Sequence, residues 1–200
     1  MSISQNNHRL FKTALKMTLV FSLWLATSSA WAQPIQLEKL FETWQAVKTD
    51  QQDFTEEQFD PLLEISQTQH GQLSYQSPDR LEQHYHKPMK GSIVFTPTLL
   101  KIDLPNRQLE INVAQFPEIS LLSQTLLNLL NGNLEALREA FKLDFHSENN
   151  QNWQLNLLPN QTFLKQIKKI EIRGSQTNIK SILLLQTSGD WRKLSLSPSQ

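Results

Sequence analysis

Cysteine is absent from the 200-residue sequence. Its absence excludes disulfide bonds, cysteine-ligated zinc or iron–sulfur centres, thiol nucleophiles and the lipid-attachment cysteine of a bacterial lipoprotein. Glycine is scarce, with five residues, and none of them forms the G-x-G-x-x-G or Walker A spacing of nucleotide-binding loops. The serine-hydrolase motif G-x-S-x-G and the zinc-protease motif H-E-x-x-H are missing as well. The sequence therefore predicts neither an enzyme nor a bound cofactor.

A basic excess is also missing. Lysine and arginine number 19, as do aspartate and glutamate, but Arg9, Lys12 and Lys16 lie in the first 32 residues, where no acid occurs. The 16 remaining bases against 19 acids make residues 33–200 mildly acidic. Because proteins that bind nucleic acid present a basic face to the phosphates, this balance argues against a nucleic-acid partner.

Residues 1–32 have the three zones of a secretory signal peptide. A basic start precedes the only long apolar run, Met17–Ala26, and small residues follow as far as Ala30-Trp31-Ala32. The run is shorter than the roughly 20 apolar residues that span a bilayer. An uncleaved membrane anchor is the alternative, but the A-x-A pattern ending at Ala32 favours cleavage before Gln33. We expect a mature domain of residues 33–200, soluble and exported to a bacterial periplasm.

The mature chain has the pattern of a mainly β domain. One helical stripe comes first, formed by Leu37, Leu40, Phe41, Trp44 and Val47. From residue 54 the apolar spacing becomes two, with turn residues about every 8–12 positions, which is typical of an antiparallel meander. Two short helices, 118–130 and 134–141, separate six strands from about five more, with Gly132 and Asn133 between them.

A single sheet of about ten or eleven strands in such a short chain has to curl. The helices carry the longest apolar stripes, so they are expected to cover the concave face. We therefore predict an α+β fold that is mainly β, an unclosed antiparallel half-barrel with helices over its concave face. The five glycines are each expected beside an element boundary, in structural roles.

Residues 71–88 carry a short motif of glycine, strand, turn proline, second strand and closing proline. It reads Gly71-Gln-Leu-Ser-Tyr75-Gln-Ser77-Pro78-Asp-Arg80-Leu81-Glu-Gln83-His-Tyr85-His-Lys-Pro88. With Asp53-Phe54-Thr55-Glu56 after the first helix and the paired mid-chain helices, it resembles the periplasmic outer-membrane lipoprotein carrier family, LolA, as a divergent branch. The resemblance implies a monomeric carrier whose half-barrel holds acyl chains of a lipidated cargo, either a lipoprotein or a glycolipid or other acyl ligand.

The resemblance also implies an inner-membrane exporter and an outer-membrane acceptor as partners. The alternative is a periplasmic accessory or sensor domain that binds lipid within an envelope assembly without shuttling. The candidate cavity lining is Leu73, Tyr75, Leu81, Tyr85, Ile93, Phe95, Leu155 and Leu157 from strands, with Leu122, Leu126 and Leu129 from the helical lid. An ordinary closed core would use the same residue types.

Two motif positions depart from the family pattern. Ser77 stands where the carriers have an arginine before the turn proline, and Gln83 stands where they have a tryptophan. In the carriers that arginine is thought to hold the lid shut. With Ser77 in its place, lid closure is expected to rest on apolar contacts of the helical lid alone. Arg80 aligns with a position that is often basic in the family, but nothing in the sequence makes it a substitute.

Three histidines are candidate metal ligands. If Tyr75 pairs with Leu81, then His70 faces His86, and His84 lies two residues along the same face. Three imidazoles can bind zinc, but this face is opposite the apolar lining and is expected to be solvated. We therefore predict no metal site.

Glu56 and Glu57 are adjacent carboxylates, the residue type that general acid–base catalysis uses in pairs. Side chains alternate along a strand, so these two are expected on opposite faces of the sheet. The pair is therefore not expected to work together on a substrate.

Overall fold

The computed structural model describes residues 35–148, 151–160 and 166–199. Within them lie α1 (Leu37–Gln45), α2 (Pro117–Leu130), α3 (Leu134–Ala140) and a 3-10 turn at Val113–Gln115. The strands are β1 Thr49–Asp60, β2 Ile65–Gln76, β3 Arg80–Lys87, β4 Gly91–Phe95, β5 Leu99–Leu104, β6 Arg107–Asn112, β7 Phe141–Glu148, β8 Asn152–Pro159, β9 Ile167–Ser175, β10 Asn178–Gln186 and β11 Trp191–Pro198. None of the helices in these ranges is long and apolar enough to cross a membrane. The expected cleavage site at Ala30, Ala32 and Gln33 lies outside the described residues.

All eleven strands of the described chain belong to one antiparallel sheet, in the order β6-β5-β4-β3-β2-β1-β11-β10-β9-β8-β7. It consists of two meanders, β1–β6 and β7–β11, joined where the last strand pairs with the first. Glu56 lies opposite Leu194 at this junction, and Gln58 lies opposite Arg192. The sheet is open, with β6 and β7 at its two edges. The predicted unclosed half-barrel with six strands, helices and five further strands is confirmed.

The position of α2 follows from this topology. Strands β6 and β7 are opposite edges of the sheet, so the segment between them has to cross from one edge to the other. Ten strand spacings would make a flat sheet about 48 Å wide. The 14 residues of α2 and the seven of α3 reach only about 32 Å even end to end, and the residues that flank and join them are not extended, since they include the 3-10 turn Val113–Gln115 and the turn at Gly132. The sheet therefore has to curl towards the helices, and its concave face is the face they cover.

The helix boundaries follow from local chemistry. Pro117 occupies the first turn of α2, where a missing N–H costs nothing. Gly132 follows the helix with φ +66°, and a Cβ there would lie 2.2 Å from the carbonyl oxygen of Phe41. Asn133 caps α3 by accepting a hydrogen bond from the backbone N–H of Ala136. Helix α3 ends at Ala140 rather than at the predicted residue 141, because Phe141 is extended and begins β7.

Helix α1 is part of the hydrophobic core. The ring of Trp44 lies 4.9 Å from Phe41 and 5.7 Å from Trp153, measured between centroids. Its indole N–H donates to the carbonyl oxygen of Thr177 at 2.8 Å. Arg138 of α3 pairs with Glu38 of α1 at 2.8 Å, which ties the two helices together. The Trp44 contacts hold α1 against the second meander, and the ion pair joins α1 to α3.

One glycine position differs from expectation. Gly71 lies within β2, not at an element boundary. A Cβ at Gly71 would lie 2.0 Å from the carbonyl oxygen of His84 and 2.8 Å from the ring of Phe54. The close approach of β3 and the Phe54 ring therefore requires glycine in mid-strand.

Candidate functional site

A cavity of about 130 Å³ lies between α2 and the concave face of the sheet, and we call it the α2 cavity. Thirteen of its sixteen lining residues are apolar. The lining is Glu56, Leu73, Leu81, Gln83, Phe95, Leu122, Leu126, Leu129, Leu130, Ile170, Ile179, Ile182, Leu184, Arg192, Leu194 and Leu196. Helix α2 supplies four of the leucines, and the strands of both meanders supply the rest. The site is thus an apolar chamber with a helix as its roof.

Six of the eleven candidate lining residues lie in this wall: Leu73, Leu81, Phe95, Leu122, Leu126 and Leu129. Tyr85 and Ile93 lie in a buried cluster on the first meander, around Phe54. Leu155 and Leu157 are fully buried in the core that includes Trp44. The remaining candidate, Tyr75, lies beside a second hollow. Contact of any of the eleven with an acyl chain stays a prediction.

That second hollow, of about 330 Å³, lies beside the end of α1, and we call it the α1 hollow. Its wall includes polar groups such as Asp50, Thr177 and the Tyr75 side chain. Four apolar residues line both the α1 hollow and the α2 cavity: Leu73, Leu130, Ile179 and Leu196. These four side chains separate the two spaces.

The sequence did not point to the half of the wall that strands β9, β10 and β11 supply. These residues are Ile170, Ile179, Ile182, Leu184, Leu194 and Leu196. Alternation along β10 and β11 was a usable signal, since Ile182 and Leu184 share one face of β10. Placing that face over the cavity requires knowing that β11 pairs with β1.

A polar cluster interrupts the apolar wall; we call it the Glu56 cluster, and it comprises Glu56, Gln58, Gln83, Tyr85 and Arg192. Glu56 Oε1 lies 3.0 Å from Arg192 Nε, and Glu56 Oε2 accepts a hydrogen bond from the Tyr85 hydroxyl at 2.7 Å. Burial and the neighbouring Glu56 carboxylate raise the pKa of Tyr85, so its hydroxyl remains a donor.

The two adjacent glutamates do face opposite ways, as predicted. Glu56 is 1% exposed on the concave side, whereas Glu57 points outward, 3.8 Å from Lys193. What the sequence missed is that Glu56 meets an arginine across the β1–β11 junction.

A second polar contact fastens one end of α2, and we call it the Asn131 clasp. The Asn131 side chain accepts a hydrogen bond from the Tyr75 hydroxyl at 2.6 Å and donates to the carbonyl oxygen of Pro78 at 2.6 Å. Ser77 Oγ also donates to the Asn131 side-chain oxygen, at 3.4 Å. Lid closure therefore does not rest on apolar contacts alone, contrary to the expectation drawn from Ser77.

Removing the clasp is expected to loosen α2. Asn131→Ala deletes these hydrogen bonds, and hydrogen exchange of the amides of 119–130 should accelerate roughly tenfold. Gln124→Ala is the matched control, because Gln124 is exposed on the same helix and bonds only to Ser120 among the described residues. Equal exchange in the two variants would show that the clasp does not hold the helix.

The other motif residues lie in the hairpin formed by β2 and β3, or directly after it. Pro78 follows a cis peptide bond in the turn of this hairpin, and Pro88 follows another directly after β3. Gln83 faces the α2 cavity, with its side-chain oxygen 3.3 Å from the Tyr85 hydroxyl. Arg80 forms an ion pair with Glu82 at 2.8 Å on the exposed side of β3. Arg80 therefore does not point towards the lid.

The predicted histidine pairing is wrong. Tyr75 does pair with Leu81, but the register shifts beyond Gly71, and His70 pairs with Lys87 instead of His86. The shift is a β-bulge, which leaves one residue of β3 without a partner. His84 lies 3.7 Å from Glu82. Within the described ranges no three His, Asp or Glu side chains are grouped so that they could hold a metal ion.

A protein-family model matches most of the chain. The family model described as outer membrane lipoprotein carrier protein LolA matches residues 45–199. The chain belongs to the LolA family. Its match to LolA begins at the end of α1 and runs through β11, so it includes both meanders, helix α2 and the Asn131 clasp.

Several solved structures are similar to this LolA-family chain. A LolA superfamily protein from Nitrosomonas europaea has 9% identity and a TM-score of 0.41, covering 82% of this chain and 92% of that one. A DUF1329 family protein from Desulfovibrio piger has 8% identity and a TM-score of 0.44, covering 80% and 88%. The MucA/MucB complex of Pseudomonas aeruginosa has 14% identity and a TM-score of 0.39, covering 81% and 54%. None of the curated proteins matches the chain. The family assignment rests on the family model.

Proposed function

We propose that this protein is a periplasmic carrier that binds the acyl chains of a lipoprotein or another lipidated cargo and moves the cargo towards the outer membrane. The observation that carries the proposal is the α2 cavity, an apolar chamber whose roof is a single helix clasped at one end. A carrier needs apolar area and a way to open it, and no catalytic group. Family membership supports the same function.

The size of the cavity indicates how cargo would enter. Ligand pockets commonly measure about 300–1,000 Å³, so the α2 cavity at about 130 Å³ is too small for a long acyl chain. The α2 cavity and the α1 hollow together amount to about 460 Å³, within that range. An acyl chain would therefore displace the four side chains that separate them, lift α2, or both.

The energy available for binding is large. Each CH₂ removed from water contributes about 0.8 kcal/mol, so a sixteen-carbon chain offers about 12 kcal/mol. Helix α2 packs seven apolar side chains against the two buried clusters, and exposing a fully buried one costs about 1.5–3 kcal/mol. Lifting α2 completely would therefore cost about as much as the chain offers, so the chain would have to replace these contacts as it enters. Delivery then requires an acceptor that offers the chain another apolar site, and loading requires a donor. An exporter in the inner membrane and an acceptor at the outer membrane fit these two roles, with the carrier moving as a monomer.

Native mass spectrometry of the protein purified from periplasm without detergent tests the proposal. We expect one bound lipid or lipopeptide that dissociates on denaturation, and a polypeptide mass that corresponds to residues 33–200. Consistent absence of a bound lipid would contradict the carrier function. A full-length chain recovered from the membrane fraction would contradict export by a cleaved signal peptide.

A further inference from the structure

The polar residues of the α2 cavity wall are gathered in one place. Only Glu56, Gln83 and Arg192 are polar among its sixteen described lining residues. All three belong to the Glu56 cluster, in which the Tyr85 hydroxyl lies 2.7 Å from Glu56 Oε2 and 3.3 Å from Gln83 Oε1. Ligand sites commonly combine apolar walls with a few convergent polar groups that fix the orientation of the ligand.

The cluster lies far from the Asn131 clasp. The clasp holds Tyr75, which pairs with Asp50 near the start of β1. Glu56 lies six residues further along β1, about 20 Å away at the usual rise of a strand. Helix α2 is therefore fastened at one end of the sheet, and the polar cluster lies towards the other end.

The two side chains of the Glu56–Arg192 ion pair differ strongly in their exposure to solvent. The Glu56 side chain is 2% exposed, whereas the Arg192 side chain is 51% exposed. The negative end of the pair is therefore buried in the wall, and the positive end lies at the rim of the cavity, within reach of solvent. A group arriving at the rim meets the guanidinium first.

The guanidinium of Arg192 also has more hydrogen-bond donors than its contacts with the described residues use. Its Nε faces Glu56, and its Nη2 donates to the Gln58 side-chain oxygen at 3.2 Å. Of the five N–H groups of a guanidinium, the other three have no partner among the described residues. As a rule, burying an ion pair contributes little net stability, because desolvation offsets the attraction. The free donors at the rim are suited to oxygen atoms of a ligand.

We propose that the Glu56 cluster is a head-group subsite of the α2 cavity, in which Arg192 binds the anionic oxygens of a carboxylate or phosphate attached to an acyl chain. This inference rests on the proposed function, because the acyl chain is taken to occupy the cavity. The chain would extend from Arg192 towards the α1 hollow, and Glu56 would hold the guanidinium in position with the help of Tyr85.

Chain-matched amphiphiles test the subsite. Dodecanoate, dodecyl phosphate and dodecanol are compared for their ability to displace a fluorescent fatty acid from the delipidated protein. Both anionic compounds are expected to bind roughly tenfold more tightly than the alcohol, the difference expected for a charge-assisted hydrogen bond. A preference for only one anion would identify which head group the site accepts.

Paired substitutions test whether Glu56 and Arg192 cause the preference for anionic amphiphiles. Arg192→Gln alone would leave Glu56 buried without its partner, so the test uses Glu56→Gln together with Arg192→Gln. This double variant should lose the preference for anions, so that dodecanoate, dodecyl phosphate and dodecanol bind it with similar affinities. The matched control is Glu57→Gln with Lys193→Gln, the neighbouring pair on the outer face, and it should keep the preference.

The outcomes separate this inference from the function on which it rests. Equal affinity of the natural chain for all three amphiphiles would overturn the subsite while leaving the acyl cavity intact. Equal loss of preference in the two double variants would also overturn it. Failure of all three amphiphiles to displace the fluorescent acid, or failure of that acid to bind, would overturn the carrier function and the subsite with it.

Discussion

Leu126→Asp is expected to abolish binding of a fluorescent fatty acid while the chain remains folded. Leu126 lines the α2 cavity from the roof and is only partly buried. A carboxylate there can turn towards water in the empty protein, but an acyl chain would bury it without a partner. That desolvation is costly, so affinity should fall by more than about a hundredfold. Fluorescence titration of delipidated protein measures the effect, with circular dichroism as the check on folding.

The matched control for this substitution is Leu62→Asp. Leu62 is 90% exposed in the turn between β1 and β2, so the same change in charge and size there should leave binding unaffected. A folded Leu126→Asp chain that still binds the fatty acid would show that α2 does not cover the acyl site.

Trp44→Ala is expected to lower the free energy of unfolding by about 3–5 kcal/mol, the usual cost of removing a large buried aromatic ring. Trp44 packs between Phe41 and Trp153, and its N–H is hydrogen-bonded to the Thr177 carbonyl. Helix α1 would thus be a fixed part of the core, and opening would belong to α2. Urea denaturation monitored by circular dichroism measures the change.

Trp191→Ala is the comparison for this prediction. Trp191 stacks on Phe59 at 6.1 Å near the end of the β1–β11 pair and is only partly buried. Its removal should cost clearly less than removal of Trp44. Equal costs would mean that α1 is not seated in the core, and would make α1 a candidate for the moving lid.

The sequence predicted the elements of the fold because each element has a local pattern. The 3.6-residue spacing from Leu37 to Trp44 predicts α1, and period-two alternation predicts the strands of both meanders. The junction of the meanders has no local signal. Phe54 pairs with Leu196 across more than half of the chain, and spacing within either segment does not encode that contact.

The same difference between local patterns and long-range pairing explains which residues of the site the sequence predicted. Alternation placed Leu73, Leu81 and Phe95 on the concave face, and the helical stripe placed Leu126 in the roof. The Glu56 cluster needed the β1–β11 junction, since Glu56 and Arg192 are brought together only there. The predicted pairing of His70 with His86 is wrong because a single bulge shifts the partner of His70 by one residue, to Lys87. Long-range pairing and strand irregularities are where local patterns stop being informative.

The central claim is that an acyl chain lies between α2 and the concave face of the sheet. A crystal structure of the delipidated protein with a long-chain fatty acid that carries bromine at its methyl end tests this most directly, because anomalous scattering locates the bromine. The account predicts a bromine signal in contact with the residues between the α2 cavity and the α1 hollow, such as Leu73, Leu130 or Ile179. A bromine bound only on the outer face of the sheet, or crystals in which the acid is bound elsewhere and this space stays closed, would contradict it.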